Sequence, residues 1–215
     1  MIEKINNPAN QRSNYKGKFI SFEGIEGSGK STQAKMLAEY LESKDVQVTL
    51  TREIGGVDTA ESIRDIVVNQ DLLPMSEVML VMAARYEHLQ KLILPKLEEG
   101  NVVICDRFVD STACYQGLSQ DIGVEKVYQL HHQLIGNILP CITLFIDVDP
   151  QEALNRAINR GNTNKFEAKN LEFHQQVAQG FQALVGKFQQ RIVKIEANTL
   201  TQIEVHQKIL KFLHF

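Results

Sequence analysis

The chain contains no tryptophan and only three cysteines among its 215 residues. Cys105, Cys114 and Cys141 are odd in number and form no C-x-x-C pair, which argues against a disulfide scaffold and against a zinc site. The cysteine usage therefore favours a reducing compartment such as the cytoplasm. No apolar run approaches the roughly 20 residues that span a bilayer, so the sequence predicts no membrane crossing.

The chain also lacks an excess of positive charge. It has 23 Lys and Arg against 26 Asp and Glu, which gives a net charge of -3 at pH 7. This balance offers no global reason to bind nucleic acid or an acidic membrane, so an anionic partner must be bound locally. The six histidines form no HExxH motif or ligand-spaced cluster, and most of them are expected to be solvated.

The polar beginning of the chain differs from everything that follows it. Residues 1–17 are rich in Asn, Gln and Lys around Pro8 and lack the apolar core of a signal peptide, which predicts a flexible tail. Residues 18–215 contain no internal repeat and no Gly-, Ser- or Pro-rich linker, so we expect one domain there.

Short apolar runs alternate with helical patterns along the domain. Continuous apolar runs predict strands covered on both faces at residues 18–23, 101–106 and 142–147. A strand is also predicted at 46–51, where apolar and polar residues alternate, and another at 191–195. Helices are predicted from Lys30, over 59–68, after a capping Ser76, after Asp149-Pro150 and over 201–212. The alternation predicts right-handed crossovers and a three-layer α/β/α fold with a parallel five-stranded sheet. Ligands of such folds bind at the carboxyl ends of the strands.

A phosphate loop follows the first predicted strand. Residues 24–31 read GIEGSGKS, which matches G-x-x-x-x-G-K-[ST] at a strand-to-helix junction and predicts a P-loop fold that binds ATP. Backbone N–H groups and the helix N-terminus bind phosphate in this motif, while Lys30 reaches the β- and γ-phosphates and the Ser31 hydroxyl holds Mg²⁺. The predicted nucleotide-binding residues of this segment are Gly24, Ile25, Glu26, Gly27, Ser28, Gly29, Lys30, Ser31 and Thr32.

A GTPase would carry Asn-Lys-x-Asp after a late strand. The nearest match is the stretch NKFE at residues 164–167, which has Glu for Asp and lies between two helical patterns instead of at a strand end. The sequence therefore disfavours a GTPase.

Four segments carry motifs in a defined order: FEGIEGSGKST at 22–32, which contains the phosphate loop, TREIGG at 51–56, AAR at 83–85 and CDRFVDSTACYQG at 105–117. In sequence and in order they resemble the motifs of the thymidylate kinase family of P-loop nucleoside monophosphate kinases. The resemblance implies Mg²⁺-dependent phosphoryl transfer from ATP to dTMP, a homodimer, and a flexible helical lid, here at about residues 156–168.

The resemblance also implies roles for the acceptor side. Arg107 would hold the acceptor phosphate, which suits a planar guanidinium that grips two oxygens. Arg85 would bind the thymine edge, Glu26 the sugar, and Tyr115 would crowd the 2′ position, with Arg52 a second phosphate candidate. The predicted substrate-binding residues are Glu26, Arg52, Arg85, Arg107, Ser111, Thr112, Tyr115 and Gln116.

The remaining roles concern the transferred phosphate and the ATP base. Asp106 would act on Mg²⁺ or its water shell, directly or through Arg107. The loop carries no arginine, so the lid would supply one, and Arg160 matches better than Arg156. Asn198 lies where the family packs against adenine. The predicted catalytic residues are Lys30, Asp106, Arg107 and Arg160, and the predicted metal ligands are Ser31 and Asp106.

The chain departs from the family's pattern at several positions. Ile54 and Val57 replace the usual Pro and Thr, Asn164-Lys165 replace the Asp-Arg of the lid, and Val81 stands where a phenylalanine stacks on thymine. Losing that stack would weaken base binding by about 0.5–1.5 kcal/mol. A kinase for another nucleoside monophosphate therefore remains an alternative, as does a P-loop nucleotide-binding switch that is not a kinase.

Overall fold

A parallel five-stranded sheet forms the centre of the molecule. The computed structural model describes residues 15–159, 161, 165–166 and 168–213. The strand order is β2-β3-β1-β4-β5, and every neighbouring pair is parallel. The strands are β1 (Lys18–Glu23), β2 (Val48–Arg52), β3 (Val102–Asp106), β4 (Ile142–Asp147) and β5 (Ile192–Glu196). β1 is in the middle of the sheet, so the turn that follows β1 lies at the centre of the sheet's carboxyl edge.

Helices connect the strands and cover the sheet. The described residues form the α-helices α1 (Lys30–Glu42), α2 (Asp58–Asn69), α3 (Pro74–His88), α4 (Leu94–Glu98), α5 (Val109–Thr112), α6 (Val124–Ile135), α7 (Pro150–Asn159), α8 (Leu171–Lys187) and α9 (Gln202–Leu210). π-helical turns at Leu89–Ile93 and Ala113–Leu118 continue α3 and α5. None of these helices combines the length and the apolar character needed to cross a membrane.

Consecutive buried residues explain why the sheet needs a layer on each side. In β1 the five residues after Lys18 are all buried, and in β3 the first four are. Since successive side chains point to opposite faces, both faces of these strands are covered. On one face Phe19 packs edge-on against Phe108, and Phe145 stacks on Phe181 of α8. The predicted three-layer fold class is therefore confirmed.

Several predicted boundaries were wrong by one or two residues. β2 begins at Val48 and includes Arg52. Ser76 does not cap α3, because the helix already begins at Pro74, whose fixed φ suits a first turn. Asp149 does cap α7, since its Oδ1 accepts hydrogen bonds from the backbone N–H groups of Gln151 (3.0 Å) and Glu152 (3.1 Å).

The expectation that most histidines are solvated was also wrong. His88, His131 and His174 are buried. His131 bonds to the Ile138 carbonyl at 2.9 Å, and burial lowers the pKa of its imidazole to about 3, so the ring is neutral. Among the described residues, no cluster of three or more His, Cys, Asp or Glu forms a metal site.

Candidate active site

The phosphate loop connects β1 to α1 at the centre of the sheet's carboxyl edge. Gly27 (φ +76°) and Gly29 (φ +90°) adopt left-handed conformations that side chains rarely allow. A Cβ at Gly27 would lie 1.9 Å from the carbonyl oxygen of Ala153 in α7, so only glycine fits there. Gly29 is the N-cap of α1 and provides no side-chain cap, which leaves the first turn of the helix ready for an anion.

Lys30 folds back over this loop. Its ammonium lies 3.4 Å from the carbonyl oxygen of Ile25, and the residue is 7% exposed. Burial, reinforced by the neighbouring Arg107 charge, lowers the pKa of Lys30 to about 8 against the opposing effect of Asp106 and Glu26. A phosphate bound in the loop would restore the missing counter-charge. The loop and Lys30 thus form a site whose electrostatics favour a polyanion.

Ser31 and Asp106 meet beside the loop. The Ser31 hydroxyl donates a short hydrogen bond to Asp106 Oδ2. The other carboxylate oxygen, Asp106 Oδ1, is buried and has no hydrogen-bond partner among the described residues. A hydroxyl next to an unpartnered carboxylate oxygen is the oxygen donor set that Mg²⁺ prefers. The residues present therefore fit this ion.

Arg107 links the loop to the next part of the site. It follows β3 and adopts a left-handed backbone conformation (φ +74°), which is unusual for a residue with a side chain. Its Nη1 donates to the Gly24 carbonyl and to Ser111 Oγ, both at 2.9 Å, and its Nη2 donates to Glu26 Oε1 at 2.8 Å. One guanidinium thus contacts the phosphate loop and α5 together.

Charges around Arg107 keep the cluster ionised. Burial opposes the charge of Arg107, but Tyr115, Glu26 and Asp106 outweigh it and raise the pKa of the guanidinium. Burial likewise acts to raise the pKa of Glu26, but Arg107 and Lys30 reverse this and lower it. The Tyr115 hydroxyl donates a short hydrogen bond to Glu26 Oε2. The cluster therefore holds a charged Glu26 and a charged Arg107 side by side.

Glu23 lies beneath this cluster at the end of β1. Its Oε1 accepts the Phe108 backbone N–H at 2.7 Å, and its Oε2 accepts the Ser111 hydroxyl at 2.5 Å. Complete burial, reinforced by the charge of Asp110, raises the pKa of Glu23 to about 8. Glu23 thus fixes the turn from β3 into α5 while favouring its neutral form near pH 7.

Arg107 also lines a cavity. The empty space inside this cavity, including the part that is open to solvent, is about 560 Å³. All predicted acceptor residues except Arg52 line it. The polar lining is Glu26, Glu53, Arg64, Arg85, Arg107, Ser111, Thr112, Tyr115 and Gln116, and the apolar lining is Ile54, Val68, Val81, Phe108 and Phe166. The apolar residues could accommodate a flat base while the arginines face an anion.

Arg85 forms the deep wall of this cavity. It is 2% exposed, its Nε donates to Glu53 Oε2 at 2.7 Å, and its Nη2 donates to Thr112 Oγ1 at 2.9 Å. Burial acts to raise the pKa of Glu53, but the Arg85 charge and then His88 outweigh it and lower the pKa. Within the described chain, Arg85 Nη1 bonds only to the Met82 sulfur, at 3.8 Å, so this N–H group remains available to a ligand.

Arg52 and Arg64 occupy positions that the sequence did not predict. Arg52 lies outside the cavity lining, is exposed, and donates to Glu61 Oε2 at 2.7 Å. Arg64 of α2 lines the cavity instead and donates to the Ile54 carbonyl at 3.1 Å. Burial and the charges of Arg52 and Arg107 lower its pKa, so an anion here would be stabilised. The only sequence signal was that Arg64 and Val68 share one face of a helix.

The other predicted nucleotide-binding and lid residues lie outside the lining of this cavity or outside the described residues. Asn198, after β5, accepts the Asp149 backbone N–H at 2.5 Å and lines an open hollow together with Asp147, Pro150 and Gln175. The remaining loop residue, Thr32, is exposed at the start of α1. Arg160 lies outside the described residues. Arg156, the other lid candidate, is exposed and pairs with Glu152 in its own helix.

Comparisons with known proteins agree on one family. A family model described as thymidylate kinase matches residues 22–209. A thymidylate kinase of Rickettsia typhi is 50% identical over 197 residues, covering 92% of this chain and 97% of its own, and one of Rickettsia bellii is 51% identical over 198 residues, covering 92% and 96%. The crystal structure of thymidylate kinase from Ehrlichia chaffeensis superposes with a TM-score of 0.76 at 37% identity, covering 93% of this chain and 99% of that one.

Proposed function

Because the chain belongs to the thymidylate kinase family, we propose that its site transfers the γ-phosphoryl group of ATP to dTMP, giving dTDP and ADP. The observation that carries this proposal is the position of Arg107. Its Nη1 lies 2.9 Å from the carbonyl of Gly24 in the phosphate loop, while the same side chain lines the acceptor cavity. An anion held by Arg107 from the cavity side therefore lies next to the phosphates held by the loop, as phosphoryl transfer requires.

Different groups of the loop bind different parts of the negatively charged phosphate chain of ATP. Backbone N–H groups at the N-terminus of α1 bind the phosphate chain of ATP, and Lys30 neutralises the charge of the transferred group. Ser31 and Asp106 would hold Mg²⁺, which neutralises charge on the phosphates when bound. The hollow beside Asn198 takes the adenine of ATP.

The acceptor's charges and its base are bound at different depths. Arg107 binds the dTMP phosphate near the loop, and Arg64 adds a second cation on the same cavity. Arg85, fixed by Glu53 and Thr112, offers its remaining N–H to the edge of the base. The Tyr115 ring and Glu26 border the sugar, which favours a deoxyribose.

A lid at about residues 156–168 completes the domain of residues 18–215 in this proposal, and Arg160 supplies its cation to the transferred phosphate. Closure excludes water, so that the phosphoryl group passes to dTMP and not to water. We further propose that the enzyme works in the cytoplasm as a homodimer and binds neither nucleic acid nor membrane. The exposed Met75 (40%), Met79 (56%) and Tyr86 (49%) on α3 support a contact between two copies.

A panel of acceptors tests the proposed reaction. Purified protein with Mg-ATP is given dTMP, dUMP, dCMP or dGMP at equal concentration, and the nucleotide products are separated by anion exchange. We expect dTDP to form fastest and ATP hydrolysis without acceptor to be slow. If dTMP yields no dTDP, the proposal fails, and a faster reaction with another monophosphate would assign the site to that acceptor.

A further inference from the structure

A buried carboxylate outside the reacting groups connects three segments around the acceptor cavity. Glu77 lies on the first turn of α3, and its side chain is 2% exposed. Its Oε1 accepts the side-chain amides of Gln116 (2.6 Å) and Gln120 (3.0 Å). Its Oε2 accepts Lys165 Nζ at 2.6 Å. A buried carboxylate is stable only with such partners, so these contacts depend on one another.

Lys165 also reaches the end of α2. Its ammonium donates to the carbonyl of Gln70, the C-cap of that helix, at 3.2 Å. A cation at a helix C-terminus is favourable because the carbonyl groups there carry partial negative charge. Lys165 therefore fixes its own segment to α2 and to α3 at the same time.

The next residue, Phe166, covers the cavity. Its ring lines the cavity and contacts the Tyr115 ring edge-on, with centroids 5.9 Å apart and planes at 89°. The Lys165 ammonium lies 5.1 Å from the centroid of the Phe166 ring. Gln116 lines the same cavity and binds the same carboxylate. Glu77 thus determines the position of two cavity-lining side chains that come from different segments.

We propose that Lys165 is a positioning residue which, through its ion pair with Glu77, holds Phe166 over the acceptor cavity. The consequence for catalysis rests on the proposed function: with the ring held in place, the acceptor is retained while ATP binding is unaffected. Lys165→Met is then expected to raise the KM for dTMP by up to about tenfold, because the acceptor loses its packing against the Phe166 ring, and to leave the KM for ATP unchanged. Lys165→Arg, which keeps the cation, should restore the KM for dTMP.

The absence of tryptophan provides a readout that needs no turnover. Phe166→Trp introduces a single indole at the position in question, and acrylamide quenching of its fluorescence measures how well it is covered. In this background, Lys165→Met should increase quenching and shift the emission to longer wavelength, and Lys165→Arg should not. The double change Lys165→Met with Glu77→Gln removes the ion pair without leaving a buried carboxylate unpaired, and it should expose the indole equally.

Lys187→Met is the matched control. Lys187 pairs with Glu125 at 2.5 Å and lies 5.9 Å from the ring centroid of the next residue, Phe188, but its pair is at the surface, away from the cavity. This variant should change neither quenching nor the KM for dTMP. Unchanged quenching in Lys165→Met would overturn the proposal, as would increased quenching with an unchanged KM. A protein that covers its indole but does not phosphorylate dTMP would refute only the proposed function.

Discussion

Two arginines of the described part of the chain are almost completely buried, and one of these two lines the cavity beside Arg107. Arg85 is 2% exposed and pairs with Glu53, while Arg191 is 0% exposed and pairs with Asp110. Arg191 donates from both Nη atoms to the two Asp110 oxygens at 2.7 Å, and from Nη1 to Thr143 Oγ1 at 2.8 Å. Arg85 Nη1, by contrast, bonds to the Met82 sulfur alone among the residues that the structure describes.

Burial and charge pairing are alike in the two pairs, so neither property identifies a binding site by itself. The difference is the place in the fold. Arg191 immediately precedes β5, and its carbonyl accepts the Thr143 N–H of β4, so it lies at the amino end of these parallel strands. Arg85 lies beside the carboxyl edge, near Arg107. The pair of Arg191 lies in the core at the amino end, whereas the pair of Arg85 lines the cavity, so we expect only Arg85 to orient a donor toward a ligand.

Removing Arg107, which contacts the phosphate loop and lines the cavity, should have the largest effect on activity. Arg107→Ala is expected to lower kcat/KM for dTMP about 1000-fold, because it removes the charge that aligns acceptor and donor phosphates. The loss should exceed that of Arg85→Ala with every acceptor in the panel. Steady-state kinetics with saturating Mg-ATP measures both, and equal losses would contradict separate roles for the two arginines.

A change in the buried Arg191–Asp110 pair should lower the stability of the protein and leave its activity unchanged. Arg191→Met leaves Asp110 buried without its cation, which should lower the free energy of unfolding by about 3–5 kcal/mol. The folded fraction should keep its kcat/KM for dTMP within about twofold. Urea unfolding followed by circular dichroism measures the first quantity. The double variant Arg191→Met with Asp110→Leu should recover much of the loss, and a stable but inactive Arg191→Met would place this pair in the site.

A change in the Arg85–Glu53 pair, which lines the cavity, should weaken acceptor binding. Arg85→Met is expected to raise the KM for dTMP about 10- to 30-fold, since a charged hydrogen bond to the base is lost, while the KM for ATP stays constant. Some stability will be lost as well, because the buried Glu53 then keeps, among the described side chains, its 3.3 Å contact with His88 Nδ1 but no arginine. An unfolding free energy that falls while the KM for dTMP stays constant would put Arg85 in the same class as Arg191.

Glu23 lies between the two regions, and its effect should appear in the pH dependence of stability. Its pKa of about 8 in the folded state exceeds the ordinary 4.5, so the stability it contributes is present at low pH and is lost as pH rises toward 8. The slope is at most about 1.4 kcal/mol per pH unit. Glu23→Gln should flatten the unfolding free energy between pH 5 and 8, measured by urea midpoints. Equal slopes in both proteins would show that Glu23 is ionised.

Local motifs made much of the site predictable. The glycine spacing around Lys30 and the segment around Arg107 each form a continuous stretch, so their chemistry is readable without knowing the fold. Arg64, which belongs to no motif, and Phe166, which follows the altered lid residues Asn164-Lys165, reach the cavity only because α2 and the segment at 165–166 pack around it. Most histidines were expected to be solvated, but His88 is buried by contacts with Thr51 (2.7 Å) and Glu53 (3.3 Å), which need the turn after β2 to fold over α3.

Arg191 shows a second limit of sequence interpretation. It precedes a short apolar strand, and nothing in its neighbours indicates that Asp110, which is 81 residues away in the chain, will neutralise it. The order of strands was likewise not readable from their composition. Runs of apolar residues predict that a strand is central, but the pairing of β1 with both β3 and β4 depends on how the crossovers pack.

The contact between Gly27 and α7 restricts how this chain can vary. A methyl group at position 27 would have to displace the Ala153 carbonyl, which lies 1.9 Å from the place a Cβ would take. The loop and the helix therefore cannot change independently, because a substitution in the loop is tolerated only if α7 moves. Since the last turn of α7, which ends at Asn159, already belongs to the proposed lid at about 156–168, a shift of α7 would displace the start of the lid. Directed evolution of this protein toward other donors should consequently find paired changes at the loop and in α7 more readily than single ones at Gly27.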